Sequence, residues 1–184
     1  MKIEPKSDAD YDSIFLSAYH EAGHAVLALV SKYHLPSRVQ LISVSEGHTD
    51  VILSKDKLSQ HGKILGSIAE DSEIPLEEAA IHYAGRYAEE LFAAKERLKG
   101  AAIQADSTGW RNDEVKAMVA LSNISWKYCA VLRARRNARS LIKENWGSVS
   151  RIAEALIPSP ESNLCAADLE DLFLATRPEP SKGK

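Results

Sequence analysis

Tyr19-His20-Glu21-Ala22-Gly23-His24-Ala25 is an H-E-x-x-H stretch inside a segment patterned as a helix. Residues four apart on a helix project from the same side, one turn separated, so the imidazoles of His20 and His24 can bind one metal ion. Glu21 follows the first histidine, where a carboxylate can reach a water on the metal without being a ligand itself. The spacing predicts a helix that starts near Asp12 or Ser13, both good N-caps, and continues through the motif to Val30. Apolar residues on several of its sides mark it as buried. Gly23 within it costs about 1 kcal/mol relative to alanine, which implies close approach by another segment or by substrate.

Outward from the motif, Pro36-Ser37 breaks the chain and Arg38 to Val44 alternates as a half-buried strand. Glu46-Gly47-His48 signals a turn and Thr49 to Leu53 a second strand, together a hairpin or small sheet. Residues 55–73 are polar apart from a short patch at Ile64, Leu65 and Ile68. Pro75 opens another helix, with Glu77 and Glu78 in its first turn, that runs to Phe92. A polar connector from Lys95 to Ala105 leads to Asp106-Ser107-Thr108, which supplies caps for a helix around 110–122. A long helix over 125–145 and shorter ones over 148–157 and 166–175 complete the pattern, with Pro158 and Pro160 between the last two. Residues 1–10 read as a flexible N-terminus, 11–175 as a single domain, and 176–184 as a disordered tail. The fold class is mainly α with a small β-sheet.

Composition narrows the function. A chain of 184 residues is long enough for one domain with a real core. Its net charge of -3 gives no reason to expect nucleic acid or an anionic membrane as partner. No run approaches the ~20 apolar residues that span a bilayer, and the N-terminus lacks the apolar stretch of a signal peptide. Cys129 and Cys165 lie far apart without metal-type spacing, as in a reduced cytoplasmic protein, so a metal site must use histidine and carboxylate. Arg133, Arg135, Arg136, Arg139 and Lys143 wrap around their helix and read as solvated surface. No G-x-x-x-x-G-K-[ST] loop exists, which excludes ATP hydrolysis by that route.

Catalytic zinc generally takes three protein ligands and keeps one position for water. The third ligand is not fixed by spacing. Glu77, Glu78, Glu89, Glu90, Asp106, Asp113, Glu114, His34, His48, His61 and His82 are all candidates. Glu89/Glu90 and Asp106/Asp113 rank highest, because each pair lies in or beside a helix that can pack on the first, and nothing in the residues chooses between the pairs.

Three segments together carry a family resemblance. The stretch Tyr19 to Ala25 resembles the active-site helix of the FtsH family of zinc peptidases. Ala84-Gly85-Arg86-Tyr87-Ala88-Glu89-Glu90 resembles that family's G-G-R-x-A-E-E segment, and Ser107-Thr108-Gly109-Trp110-Arg111-Asn112-Asp113 its S-T-G-A-S-N-D segment. They occur in the family's order, and the resemblance spans roughly residues 12–174. It implies a zincin-like helical peptidase domain in which one Zn2+ is held by His20, His24 and Asp113. Glu21 is then the base that activates the zinc-bound water, and Glu89 stands close behind the ligands or, failing Asp113, replaces it. The strand at Thr49 and Val51 resembles the family's edge strand beside the cleft, where an extended peptide can add by backbone hydrogen bonds.

Departures from the family pattern qualify the implied partners. Family members carry membrane segments and an AAA+ ATPase ahead of the peptidase, and this sequence shows neither. The implied substrates are therefore unfolded protein segments or short peptides, with an ATPase supplied, if at all, in trans. Trp110 and Arg111 replace two small residues beside Asp113, and a bulky Trp110 has two places open to it: narrowing the cleft or packing structurally. The family assembles as ring hexamers to which the ATPase contributes, so no oligomeric state carries over. The alternative is a catalytically silent binding or scaffold module that keeps the metal site.

Overall fold

The computed structural model describes residues 8–64, 71–96, 107–157 and 163–176. Among the described residues, seven α-helices and three strands follow one another as α1 (Asp8–Val30), β1 (His34–Leu41), β2 (Gly47–Leu53), α2 (Lys55–Gln60), α3 (Glu73–Glu96), α4 (Ser107–Ala120), α5 (Lys127–Glu144), α6 (Trp146–Leu156), β3 (Asn163–Cys165) and α7 (Ala166–Leu174). A short 3-10 turn, Leu121–Asn123, joins α4 to the segment before α5. The expected class, mainly helical with a small sheet, is what forms. No helix among the described residues is long and apolar enough to cross a membrane.

α1 carries the H-E-x-x-H stretch through the middle of the molecule. Ala18, Ala22, Ala25, Val26 and Ala28 are fully enclosed, as expected of a helix with apolar residues on several sides. It begins four residues before Asp12, at Asp8. Its main partner is α3, and the approach is close: a Cβ on Gly23 would stand 2.7 Å from the Ala84 carbonyl oxygen and 2.9 Å from the Ala88 Cβ. The glycine implied a near neighbour, and α3 is that neighbour. Farther along α1, Tyr19 stacks between Phe92 of α3 and Trp146 of α6, with ring centroids at 4.1 and 5.3 Å.

The sheet has the order β2-β1-β3 and is antiparallel throughout. β1 starts at His34, earlier than the alternation from Arg38 indicates, because it passes through Pro36 with an irregularity between Pro36 and Arg38. Proline is tolerated there because β3 pairs only with Arg38 to Gln40, so Pro36 has no strand on that side to donate to. β2 is an outer strand. Two elements that the sequence reading did not separate are β3, too short for alternation to register, and α2, one polar turn and a half capped by the Ser54 side chain on Lys57 N. The N-terminal residues 1–7, the connector and its Asp106, and the tail from 177 lie outside the described residues.

The end of α1 is tied down by polar contacts. Lys57 Nζ donates to the carbonyls of Ala28, Leu29, Ser31 and His34 at 2.7–3.3 Å; the first two are oxygens that the C-terminus of α1 leaves without helix partners. Glu77 of α3 accepts from Ser31 Oγ and Lys32 N, and Glu73 from the Tyr33 hydroxyl. Farther along α3, Arg135 and Arg139 of α5 lie over the rings of Tyr83 and Tyr87, so part of the basic cluster is used in packing α5 to α3.

Two outcomes follow for stability. Alanine has the better helix propensity by about 1 kcal/mol, yet Gly23→Ala should lower stability by about 1–3 kcal/mol, because the backbone of α3 must move; urea denaturation gives the sign. His34 is buried, and burial together with the Lys57 charge brings its pKa down to about 4. Between about pH 6.5 and 4 the unfolded chain takes up a proton that folded His34 refuses, so stability falls as pH falls through that window. In His34→Gln the wild-type slope, at most about 1.4 kcal/mol per pH unit from this group, should flatten when unfolding is followed against pH.

Candidate metal centre

Three elements deliver the centre. His20 and His24 leave α1 one turn apart, and Asp113 comes from the second turn of α4, packed against α3 nearby. Their ligand atoms form a compact triangle. His20 Nε2 lies 2.9 Å from His24 Nε2, and Asp113 Oδ2 lies 2.8 and 3.1 Å from the two nitrogens. All three residues are at most 8% exposed.

The partners of the other ring nitrogens fix what those atoms present. His24 Nδ1 is 2.7 Å from the Ile81 carbonyl oxygen, which can only accept, so Nδ1 carries the hydrogen. His20 Nδ1 is 2.5 Å from Glu89 Oε1 and donates to that carboxylate. In the neutral rings each Nε2 therefore presents a lone pair, and both point at a carboxylate oxygen. Three acceptors converging in a buried space repel one another unless a cation or a proton lies between them. Burial alone would depress His20, but its bonds to Asp113 and Glu89 outweigh that and hold its pKa well above the usual imidazole value. Asp113 is the other half of the contact. Burial would raise it, and the two histidines hold it well below the usual carboxylate range.

The donor set fits a metal ion. His20, His24 and Asp113 offer one ligand atom each, mutually close enough for one ion. Ligands at about 2.0–2.1 Å around a tetrahedral ion stand about 3.3 Å apart, a few tenths of an ångström wider than this triangle. Space beside the triangle is kept by Gly85 of α3: a Cβ there would stand 2.6 Å from His24 Nε2 and 2.7 Å from His20 Nε2. Behind the ligands, Glu89 accepts the His20 hydrogen on one oxygen and the Trp110 indole N–H on the other, at 2.6 Å. That is the arrangement by which an outer carboxylate sets the tautomer and direction of a ligand imidazole.

Glu21 does not join the triangle. Its Oε2 accepts from the Thr49 hydroxyl of β2 at 2.6 Å, and its side chain is buried facing the same cleft. The cleft has a volume of about 880 Å³ and is lined by Thr49 and Val51 of β2, by His34, and by Glu78 and His82 of α3. Burial raises Glu78 and lowers His82 to about 4, so His82 is neutral near pH 7. Of the two places open to Trp110, cleft wall or structural packing, it takes the second. It is not among the cleft-lining residues; its indole is turned to Glu89 and its ring lies under Arg86, 4.8 Å from the guanidinium carbon.

Among the described residues, several of the other candidates for third ligand are engaged elsewhere. Glu77 holds the end of α1, Glu90 pairs with Arg86, Glu114 with Arg135, His48 with Asp50, and His61 meets the Tyr33 ring. Spacing could not have revealed that Thr49 grips Glu21 or that Trp110 reaches Glu89, since both are long-range contacts between side chains of ordinary pattern. No protein-family model matches this chain, and no curated protein matches it.

Removing either the third ligand, Asp113, or the space for the ion should abolish metal uptake. Asp113→Ala and Gly85→Ala should each lose most of the stoichiometric Zn2+ or Co2+ that the wild type takes up, measured by metal analysis after gel filtration, while the far-ultraviolet circular dichroism stays helical. Full stoichiometry in Asp113→Ala would reassign the third ligand to Glu89.

Proposed function

We propose that the chain is a zinc-dependent metalloendopeptidase that cleaves unfolded protein segments or peptides. The observation that carries this reading is a carboxylate, Glu21, held in the cleft next to a three-ligand group without belonging to it. A closed structural site takes four protein ligands and has no use for such a base. The resemblance of the three motif segments to FtsH peptidases points the same way, and two imidazoles with one carboxylate suit zinc.

His20, His24 and Asp113 would hold the ion. When bound, zinc lowers the pKa of water in its open position towards neutrality and draws charge from a carbonyl oxygen. Thr49 keeps Glu21 pointing into the cleft by donating to Oε2, so the carboxylate is placed before substrate arrives. Glu21 takes the proton of the attacking water and passes it to the leaving amine nitrogen. Glu89 and the Ile81 carbonyl hold the two imidazoles in the tautomer that presents Nε2. β2 is the end strand of the sheet, and Thr49 and Val51 lie on the cleft wall, so an extended peptide would align along it through backbone hydrogen bonds that are indifferent to side-chain identity.

Cleavage of casein and of a quenched fluorescent peptide tests the reading. Glu21→Gln should lower kcat about 10²–10⁴-fold with metal content unchanged, the range for loss of a general base. Chelation should abolish activity and added Zn2+ restore it. Cleavage untouched by Glu21→Gln would sink the mechanism; a metal-loaded wild type that cleaves nothing would point to a binding module instead.

A further inference from the structure

We infer that Trp110 is a positioning residue of the metal centre, acting through Glu89 on His20 and through its own helix on Asp113. The inference rests on the metal-binding reading of the site and does not depend on peptidase activity. Trp110 is half-buried in the first turn of α4, three residues before Asp113, and residues so spaced are neighbours on a helix surface. Its indole N–H donates to Glu89 Oε2 at 2.6 Å while Glu89 Oε1 takes the His20 hydrogen at 2.5 Å. One side chain of α4 thus ties that helix to the carboxylate that orients a ligand on α1.

The two-sided grip matters because of how a carboxylate moves. The terminal torsion of glutamate is broad and roughly two-fold, so a bond on one oxygen leaves the plane free to turn. A second donor on the other oxygen restrains that plane, and with it the direction of the His20 hydrogen. It also keeps Oε2 facing α4 rather than the ligand triangle, where a buried carboxylate would compete for the open coordination position. Indole N–H is a donor only, so it cannot be turned round to accept, unlike a hydroxyl or an amide.

Trp110 is itself held. Arg86 lies over its ring, 4.8 Å from the centroid, and Arg86 Nε donates to Glu90 at 2.8 Å. Arg86, Glu89 and Glu90 therefore act together on one stretch of α3, and Trp110 is the residue through which they meet α4. A small residue at position 110 could make neither contact.

The test compares two replacements that separate the indole N–H from the ring. Trp110→Phe keeps a ring beneath Arg86 but donates nothing, whereas Trp110→Gln keeps a donor without the ring. Zn2+ affinity is measured by competition with a fluorescent chelator, alongside the thermal midpoint of each protein freed of metal. Trp110→Phe should bind Zn2+ about tenfold more weakly, the lower end for loss of an outer-shell partner, with Trp110→Gln closer to the wild type. The indole N–H resonance that disappears in Trp110→Phe should also shift in Glu89→Gln without any metal present. Wild-type affinity in Trp110→Phe, or an indole resonance indifferent to Glu89→Gln, would overturn the inference while leaving the metal site standing. A wild type that takes up no metal would overturn the metal reading and this inference with it, and that result is distinct from equal binding by both proteins.

Discussion

The close crossing of α1 over α3 is the constraint on which the rest of the molecule depends. Gly23 lets the Ala84 carbonyl lie where a side chain would otherwise be, and one residue later Gly85 faces the two histidine nitrogens. The helices therefore meet through backbone at the level of the site. Any larger residue at either position would push α3 outward and carry with it Ile81 and Glu89, whose oxygens hold the two imidazoles. Packing and chemistry are one contact here, because the oxygens that orient the ligands belong to the helix that closes the core.

That contact also accounts for the unusual concentration of buried polar groups. His20, Glu21, His24, Glu89 and Asp113 are all buried, which is costly for charged groups unless each finds a partner. The partners are arranged in pairs across elements: α1 to α3 through His20–Glu89 and His24–Ile81, α1 to β2 through Glu21–Thr49, and α3 to α4 through Glu89–Trp110. Only the three atoms of the ligand triangle face one another with lone pairs and no donor between them when the imidazoles are neutral. A site made to be stable without a cation would place a donor there; this one leaves the electron-rich faces together and keeps space beside them with a glycine.

How much of this was legible in the sequence depends on the range of the interaction. His20 and His24 were readable because a four-residue spacing on a helix is local geometry, and Gly23 signalled a close neighbour because glycine in a helix interior needs a reason. The helices and the hairpin were readable from periodicity. Asp113 was not singled out by spacing, since its place depends on how α4 packs eighty-nine residues away from His24; only the motif resemblance selected it. Short elements such as β3 escaped because three residues carry no period. The place of Trp110 was left open for a related reason. Bulk beside a ligand suggests a cleft wall, but the indole N–H has one strong local acceptor in Glu89 and a cation for its ring in Arg86, and together these decide its direction.

Glu21 separates the functional readings more sharply than the ligands do. A triangle of two histidines and an aspartate serves a structural ion as well as a reactive one, so metal uptake by itself leaves the chemistry open. Glu21 is different: it is buried, excluded from the triangle, and engaged through Oε2 by a hydroxyl from another element. Nothing in the packing of α1 requires a carboxylate at that position, since a leucine or methionine would fill the volume without the desolvation of a charge. In the proposed reading that carboxylate serves proton transfer, and β2 would both hold the base and align a bound chain. In that reading the same strand would link substrate alignment to the placement of the base, which ties the proposal to Thr49 as well as to the metal ligands.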